Sequence, residues 1–446
     1  MEVVEDLKYK KYAAYKDSGV EWLGEIPKGW DAIRMKFLFR DISIKNKPDE
    51  ELLSVTQDKG VVPRTLVENR MVMPSGNLES FKYIQKGDFA ISLRSFEGGL
   101  EYCHHDGIIS PAYTVLKKKD GLVDRYYKYL FKSSSFISEI QTSVVGIREG
   151  KNISYPELSY SLLPIPKKEE QTVIANFLDE KTAKIDKAIA QKERLIQLLK
   201  ERKQIIIQEL VTGKKVWNAE KNAWTKPDKV KDSGIDWIGE IPEGWEVKKI
   251  RHVGETQNGI SAGAEYFGKG FPFVTYGDVY SNIQLPKSVS GLAMATTKDQ
   301  ENYSVVEGDV FFTRTSETID EVGFSSVCFD TIKEATFAGF LIRFRPKTKK
   351  LYKGFSKYYF SSRIQRNYFE KEMNLVTRAS LSQELLKNLP VLLPPLNEQN
   401  QIFIYIEEIS LKIDKSISLQ DRQIEKLKEY KSVLIDSAVT GKIKVV

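Results

Sequence analysis

The sequence predicts an α+β fold: two tandem mixed α/β domains, each followed by one long helix. Three observations predict it. The stretch "DSGVEWLGEIPKGW" (Asp17–Trp30) returns 215 residues later as "DSGIDWIGEIPEGW" (Asp232–Trp245), with both Trp, the Pro and every Gly kept. A second block, Pro166–Lys214, aligns without a gap on Pro394–Lys442, with 21 identities in 49 positions. Solenoid and propeller units repeat every 20–50 residues or so, so a period this long marks two copies of a whole domain. Between the repeated blocks, short apolar runs alternate with amphipathic stretches, the pattern of mixed α and β.

In chain order, we expect a first mixed domain over 1–163 and a long helix over 164–214. A second mixed domain follows over 215–389, with a linker at 215–231, and a second long helix over 390–446. In the first domain "YIQKGDFAISLRS" (Tyr83–Ser95) has a Gly-Asp turn, an apolar strand and an Arg-Ser ending. "YSVVEGDVFFTRTS" (Tyr303–Ser316) repeats that order in the second. "PAYTVLKKK" and "FLIRFRPK" read as later strands. "DRYYKYLFKSSSFISEI" and "FSKYYFSSRIQRNYFEK" read as equivalent helices. Outside these islands the two domains diverge.

Each long helix opens at Pro and closes in Val-Thr-Gly-Lys, with Gly213 and Gly441 just past the ends, as helix stop signals require. Ile174, Ile185, Ile196 and Ile207 are spaced by eleven, as are Ile402, Ile413, Ile424 and Ile435. A companion stripe holds Leu178 and Ile189, repeated as Ile406 and Ile417. Eleven residues make three turns of about 3.67 residues, so the stripe stays on one face. A helix of about 40 residues is roughly 60 Å long, and one narrow apolar stripe cannot stabilise it alone. Its own copy is the expected partner; packing on the neighbouring domain is the alternative.

Composition narrows the function. The chain has 446 residues, 41% hydrophobic and 29% charged, an ordinary globular balance. No run approaches the roughly 18 apolar residues that span a bilayer, and the charged N-terminus lacks a signal peptide's apolar stretch, so a cytoplasmic protein without membrane contact is expected. Cys103 and Cys328 are the only cysteines and there are three histidines, too few for a disulfide framework or a thiolate metal site. A net charge of +7 allows an anionic partner without demanding one.

Catalytic signatures are absent. No G-x-x-x-x-G-K-[ST] string occurs, and "VTGKK" ends a helix where a phosphate loop would start one. "FGKG" (Phe267–Gly270) reads as a plain turn, "CHHD" (Cys103–Asp106) as a polar loop or strand end, and Asp49-Glu50-Glu51 as solvated. No nucleophile elbow of the G-x-S-x-G type is present. We expect no catalytic residue, no metal and no cofactor.

These residues carry a family resemblance. With its "DSGVEWLGEIPKGW" opening, "KGDFAISLRS" and "EGDVFFTRTS" strands, "PIPKKEEQ" and "PPLNEQ" helix starts and "VTGK" endings, the chain resembles the DNA-specificity subunits of type I restriction–modification enzymes. The resemblance covers most of the chain in the order target-recognition domain, spacer helix, target-recognition domain, spacer helix. It implies a subunit without chemistry of its own that reads a bipartite sequence on double-stranded DNA, one half per domain. It further implies spacer helices packed as an antiparallel coiled coil with pseudo-two-fold symmetry. The implied partners are two methyltransferase subunits and, in the full complex, motor-nuclease subunits; the assembled complex methylates adenine and cleaves DNA. Exposed apolar helix surface would support self-association of the isolated chain.

Base edges call for bidentate donors such as Arg, Lys, Asn and Gln, and phosphates for Lys, Arg and hydroxyls. The DNA-binding candidates in the first domain are Arg94 and Ser95 at a strand end, and Arg148, Lys151 and Asn152 in "GIREGKN". In the second domain they are Arg314, Thr315, Thr377 and Arg378, with Gln257, Asn258, Tyr266 and Lys269 on the Gly-rich "TQNGISAGAEYFGKG". For each, a solvated or internally paired side chain is the alternative. Arg94 and Arg314 recur in the frame, which favours a structural or phosphate role. Trp22, Trp30, Trp237 and Trp245 are duplicated likewise, so core packing outweighs base stacking. Two other classes stay open: an enzyme whose site carries no recognisable motif, and a coiled-coil scaffold without nucleic acid. Methyl transfer by the purified chain would favour the first, and DNA binding that depends on the domain loops would exclude the second.

Overall fold

The computed structural model describes residues 9–67, 78–92, 95–142, 144–145, 152–316, 321–372 and 379–445. The fold is α+β, and the chain forms two compact units. One comprises Met1–Arg194 with Gln420–Val446, the other Leu195–Leu419. Each unit therefore takes part of both long helices, Lys168–Val211 and Leu396–Val439, which have 44 residues each.

In the first unit a four-stranded antiparallel sheet runs in the order Phe39–Ile42, Thr114–Lys118, Phe89–Ile91, Glu101–Tyr102. The second unit repeats that order with Gly254–Asn258, Leu341–Pro346, Val310–Thr313 and Ser325–Val327. The Gly-Asp turns before the second strands match in detail. Asp88 accepts the Gln85 N–H at 3.0 Å and Asp309 the Val306 N–H at 2.9 Å. The two cysteines also prove equivalent. Cys103 N–H donates to the Asp88 carbonyl and Cys328 N–H to that of Asp309, and both thiols are buried and donate to a carbonyl two residues on.

The twice-written opening folds as a hairpin in each unit, Tyr15–Asp17 with Glu25–Pro27 and Val230–Asp232 with Glu240–Pro242. Asp17 and Asp232 accept the N–H of Gly19 and Gly234 at 2.9 and 3.0 Å, which sets the turn. The conserved Pro and Trp then meet the helix ends. A Cβ at Gly213 would stand 2.4 Å from Pro242 Cδ, and one at Gly441 2.3 Å from Pro27 Cδ, so the two repeated blocks are two sides of one clamp. Trp30 and Trp245 are buried in the respective cores.

Each expected mid-domain helix is instead a pair: Asp124–Leu130 with Ser134–Thr142, and Lys353–Tyr359 with Arg363–Glu372. Serines break them. Ser133 Oγ donates to Leu130 O and Ser362 Oγ to Tyr359 O, and such side-chain bonds compete with helix continuation. The second helix of each pair is then capped from a long helix: Asp436 accepts the Ser135 N–H at 2.9 Å and Gln208 the Arg363 N–H at 3.1 Å. Asp436 also accepts from Ser134 Oγ at 3.1 Å. Asp436→Ala is expected to cost about 1–2 kcal/mol, the usual worth of a helix cap, with Asp436→Asn recovering part of it. Hydrogen exchange over 134–142 checks this, and unchanged protection there would refute the capping role.

Within the first unit Lys431 reaches Asp186 at 2.6 Å while Lys192 reaches Gln420 at 3.1 Å, so these helix segments run antiparallel. In the second unit Lys203 meets Asp414 at 2.8 Å. Residues 186 and 414, and 203 and 431, are equivalents at the repeat offset, so both units use the same ion pair.

The apolar stripe divides its work between the two partners. Ile174, Leu178 and Ile185 join the first unit's core, packed among its sheet and helices as well as against Leu434 and Val439. Ile207, Ile402 and Ile406 do the same in the second unit. For these six residues, reading the stripe as an interface between spacer helices alone is corrected: the helix roots are part of the domain cores. The central members Ile196, Ile413 and Ile424 are buried, and Ile189, Ile417 and Ile435 are half-buried. Among the described residues, no helix is long and apolar enough to cross a membrane.

Candidate nucleic-acid interface

In the second domain no described candidate lines the main cleft, but Tyr266, Lys269 and Arg314 adjoin residues that do. Gln257 and Asn258 end the edge strand Gly254–Asn258, and the chain then crosses to pair Ile260 with Ala338. A cleft of about 570 Å³ opens there, walled by Ile260, Phe267, Phe273, Tyr276, Leu292 and Phe340. Arg314 stands beside it: its N–H donates to Phe340 O at 2.9 Å and its guanidinium approaches Gly339 O at 3.5 Å. Thr315 lies in the short strand Thr315–Ser316, paired with Ala379–Ser380. Lys269 is exposed between Gly268 and Gly270, whose φ values of +93° and +102° require glycine. "FGKG" is therefore a bulged start of the strand Phe267–Val274, where the register shifts between Phe267 and Phe271, and not a plain turn.

Several candidates are held internally. Gln257 Oε1 accepts from the Arg343 guanidinium, whose burial lowers its pKa to about 10. Tyr266 donates to Asp299 at 3.3 Å; burial first, and the neighbouring carboxylate second, push its pKa up to about 12. Asn258 Oδ1 is buried with no hydrogen-bond partner. Ser95 is fully buried, and its hydroxyl accepts the Ser92 N–H at 2.9 Å. It is a turn residue with no surface to offer DNA, which corrects its candidacy. Arg94, Arg148, Lys151, Thr377 and Arg378 lie outside the described residues. Asn152 is described through its backbone alone, in the strand Asn152–Ile153 paired with Val144–Val145.

Sequence reading missed two surfaces. One is Phe340, 64% exposed at the mouth of the cleft. The other is in the first domain, where Phe37 and Tyr160 are more than half exposed and Lys36 Nζ sits 4.1 Å from the Tyr160 ring centroid, with Arg34 at 5.6 Å. Cations over exposed rings suit both phosphates and base faces. The shared frame places Lys249, Arg251 and Asn388 at the corresponding points of the second domain, where Arg251 is paired to Glu384 at 2.9 Å. Two cations followed by an aromatic, Arg34-Met35-Lys36-Phe37, were the available signal. The Cys103 and Cys328 thiols are both pushed up to about 12 by burial, which disfavours their thiolates, and burial lowers the His104 pKa.

Residues 242–429 match the family model described as type I restriction modification DNA specificity domain. The MjaVIII specificity subunit of Methanocaldococcus jannaschii is 24% identical over 437 residues, 94% of each chain. The EcoBI specificity subunit of Escherichia coli is 20% identical over 413 residues, 91% of this chain and 83% of the relative. Both relatives are specificity subunits of type I restriction enzymes, and this chain is similar to them along most of its length. Solved structures agree with the chain in fold. A chain from a study of complex assembly and conformational transition in a type I R-M system superposes with a TM-score of 0.67 at 16% identity, covering 93% of this chain and 98% of the other. The HsdS subunit from Thermoanaerobacter tengcongensis gives 0.54 at 17% identity, covering 94% and 98%.

Proposed function

We propose that this chain is a type I restriction–modification specificity subunit, non-catalytic itself, that reads an asymmetric, bipartite sequence on duplex DNA, one half-site per domain. The observation that carries the reading is a repeated frame with divergent surfaces. Both units share sheet order, clamp, cap and ion pair, while one offers the Phe340 cleft and the other the Arg34–Lys36–Tyr160 patch. Equal frames with unlike surfaces suit unlike half-sites, in contrast to the palindromes read by homodimers. Arg314, Lys269, Thr315, Arg94, Arg148, Lys151, Asn152, Thr377 and Arg378 remain the proposed DNA contacts, with the long helices as the spacer. The subunit recruits two methyltransferase subunits, and motor-nuclease subunits in the full complex.

The experiment is genome-wide methylation mapping in a host expressing this chain with its methyltransferase, against a host lacking the chain. An interrupted motif of two unlike halves, present only with the chain, is the expected result. No chain-dependent mark would count against it. Phe340→Ala is expected to relax or abolish recognition of one half only, since a lost base contact costs about 1–3 kcal/mol. Equal loss at both halves would contradict the assignment of one half-site to each domain.

A further inference from the structure

A second, smaller cleft of about 350 Å³ opens in the second domain. It lies between the loop after the helix Tyr276–Tyr280, the strand Ser325–Val327 and the start of the helix Arg363–Glu372. Arg363 and Arg366 line it together with Ser281, Asn282 and Ser361, and among the described lining residues there is no carboxylate. Two of its polar side chains are buried and orphaned. Gln365 is 2% exposed and Ser325 5% exposed, yet Gln365 Oε1 and Ser325 Oγ have no hydrogen-bond partner. The Gln365 amide is oriented, because its Nε2 donates to Gly323 O, so Oε1 is held as an acceptor. Buried polar atoms are nearly always partnered, and two orphans in one cleft leave room for an outside donor and a hydroxyl contact.

The cleft also has an aromatic wall. Tyr280, 39% exposed, lies 5.2 Å from Phe324 and stacks on Tyr276 at 5.7 Å, and Arg366 covers Phe324 at 5.4 Å. The Tyr280 hydroxyl donates to Glu321 at 3.1 Å, which fixes the ring. None of this belongs to the shared frame. The counterpart stretch of the first domain, residues 134–138, holds neither Arg nor Gln.

We propose that this cleft binds one nucleotide unit whose base carries an exocyclic amino group, as adenine and cytosine do. The base stacks on Tyr280, and its amino group donates to Gln365 Oε1, the pairing by which Gln reads adenine elsewhere. Arg363 takes the phosphate as a charge-assisted donor. The nucleotide is either part of a DNA strand or free; only the first source rests on the reading of this domain as DNA-binding.

The test is equilibrium binding of dAMP, dCMP and dTMP to the full chain. We expect dAMP and dCMP to bind at least tenfold more tightly than dTMP. Arg363→Ala, an exposed change that spares the fold, should weaken dAMP about tenfold while leaving deoxyadenosine unchanged. Gln365→Leu should bring dAMP to the level of dTMP. Displacement of dAMP by a short single-stranded oligonucleotide identifies a DNA strand as the source, and failure to displace identifies the free nucleotide. No binding of any mononucleotide, equal binding of dTMP, or an unaffected Arg363→Ala chain would overturn the proposal. Chain-dependent methylation without nucleotide binding would sink the cleft alone, whereas nucleotide binding without chain-dependent methylation would sink the half-site reading.

Discussion

Replacing Gly213 with alanine is expected to destabilise the second unit by about 2–5 kcal/mol, the sum of a left-handed backbone penalty and overpacking. Gly213 has φ +70°, and its added Cβ would meet Pro242 Cδ at 2.4 Å and the Trp245 ring at 3.1 Å. Neither neighbour yields easily, since one is a proline ring and the other a buried indole. Gly441 holds the same place in the first unit, with φ +77° and Pro27 and Trp30 at 2.3 and 3.1 Å. Gly234 supplies the control, because its φ of +72° is equally strained but nothing lies within 4 Å of its Cβ position. Gly234→Ala should therefore lose only about 1–2 kcal/mol. Denaturant midpoints with segment-resolved hydrogen exchange distinguish the cases. Equal losses at Gly213 and Gly234 would mean that the clamp adds nothing.

The second large effect is expected at Gln399, which is fully buried at the start of the second long helix. Its Nε2 donates to the Pro394 and Lys350 carbonyls, both at 2.8 Å, and its Oε1 accepts the Tyr352 N–H at 2.8 Å. Gln399→Leu strands three backbone groups, at about 1–3 kcal/mol for each that stays dry, so a loss of about 3–5 kcal/mol is expected. Gln171 makes two such bonds, to Pro166 O and from Val123 N–H, both at 2.9 Å. Gln171→Leu should cost less than Gln399→Leu in parallel chemical denaturation. The reverse order, or losses below about 1 kcal/mol, would show that these amides do not anchor the helices.

The frame was legible because it is written twice. The Gly-Asp turns with the strands that follow them, the helix stops and the eleven-residue stripes could all be placed from the repeats, and the duplicated tryptophans correctly pointed to cores. The cysteines were not read as equivalents, since "EYCHHD" and "SVCFDT" share little beyond Cys and a nearby Asp, while their match lies in backbone bonds to Asp88 and Asp309. The double duty of the stripe was also hidden, because periodicity identifies an apolar face without naming what covers it. In the reading surfaces the limits were different. Ser95 looked like a polar strand end but turned inward to cap its own turn. Phe340 carried no signal as a lone aromatic after glycine, and gains its meaning only where Arg314 and Ile260 converge on it.

The two glutamines bond to main-chain atoms, and backbone is the same whatever side chain it carries. Val123, Tyr352 and Lys350 are thus held at their amides or carbonyls, blind to residue type. Beside them, side-chain pairs such as Tyr129–Asp179 and Tyr358–Glu407 do hold the domain by residue type. The glutamine joints themselves tolerate a change of side chain at positions 123, 350 and 352. The Gly–Pro–Trp clamps have no such freedom.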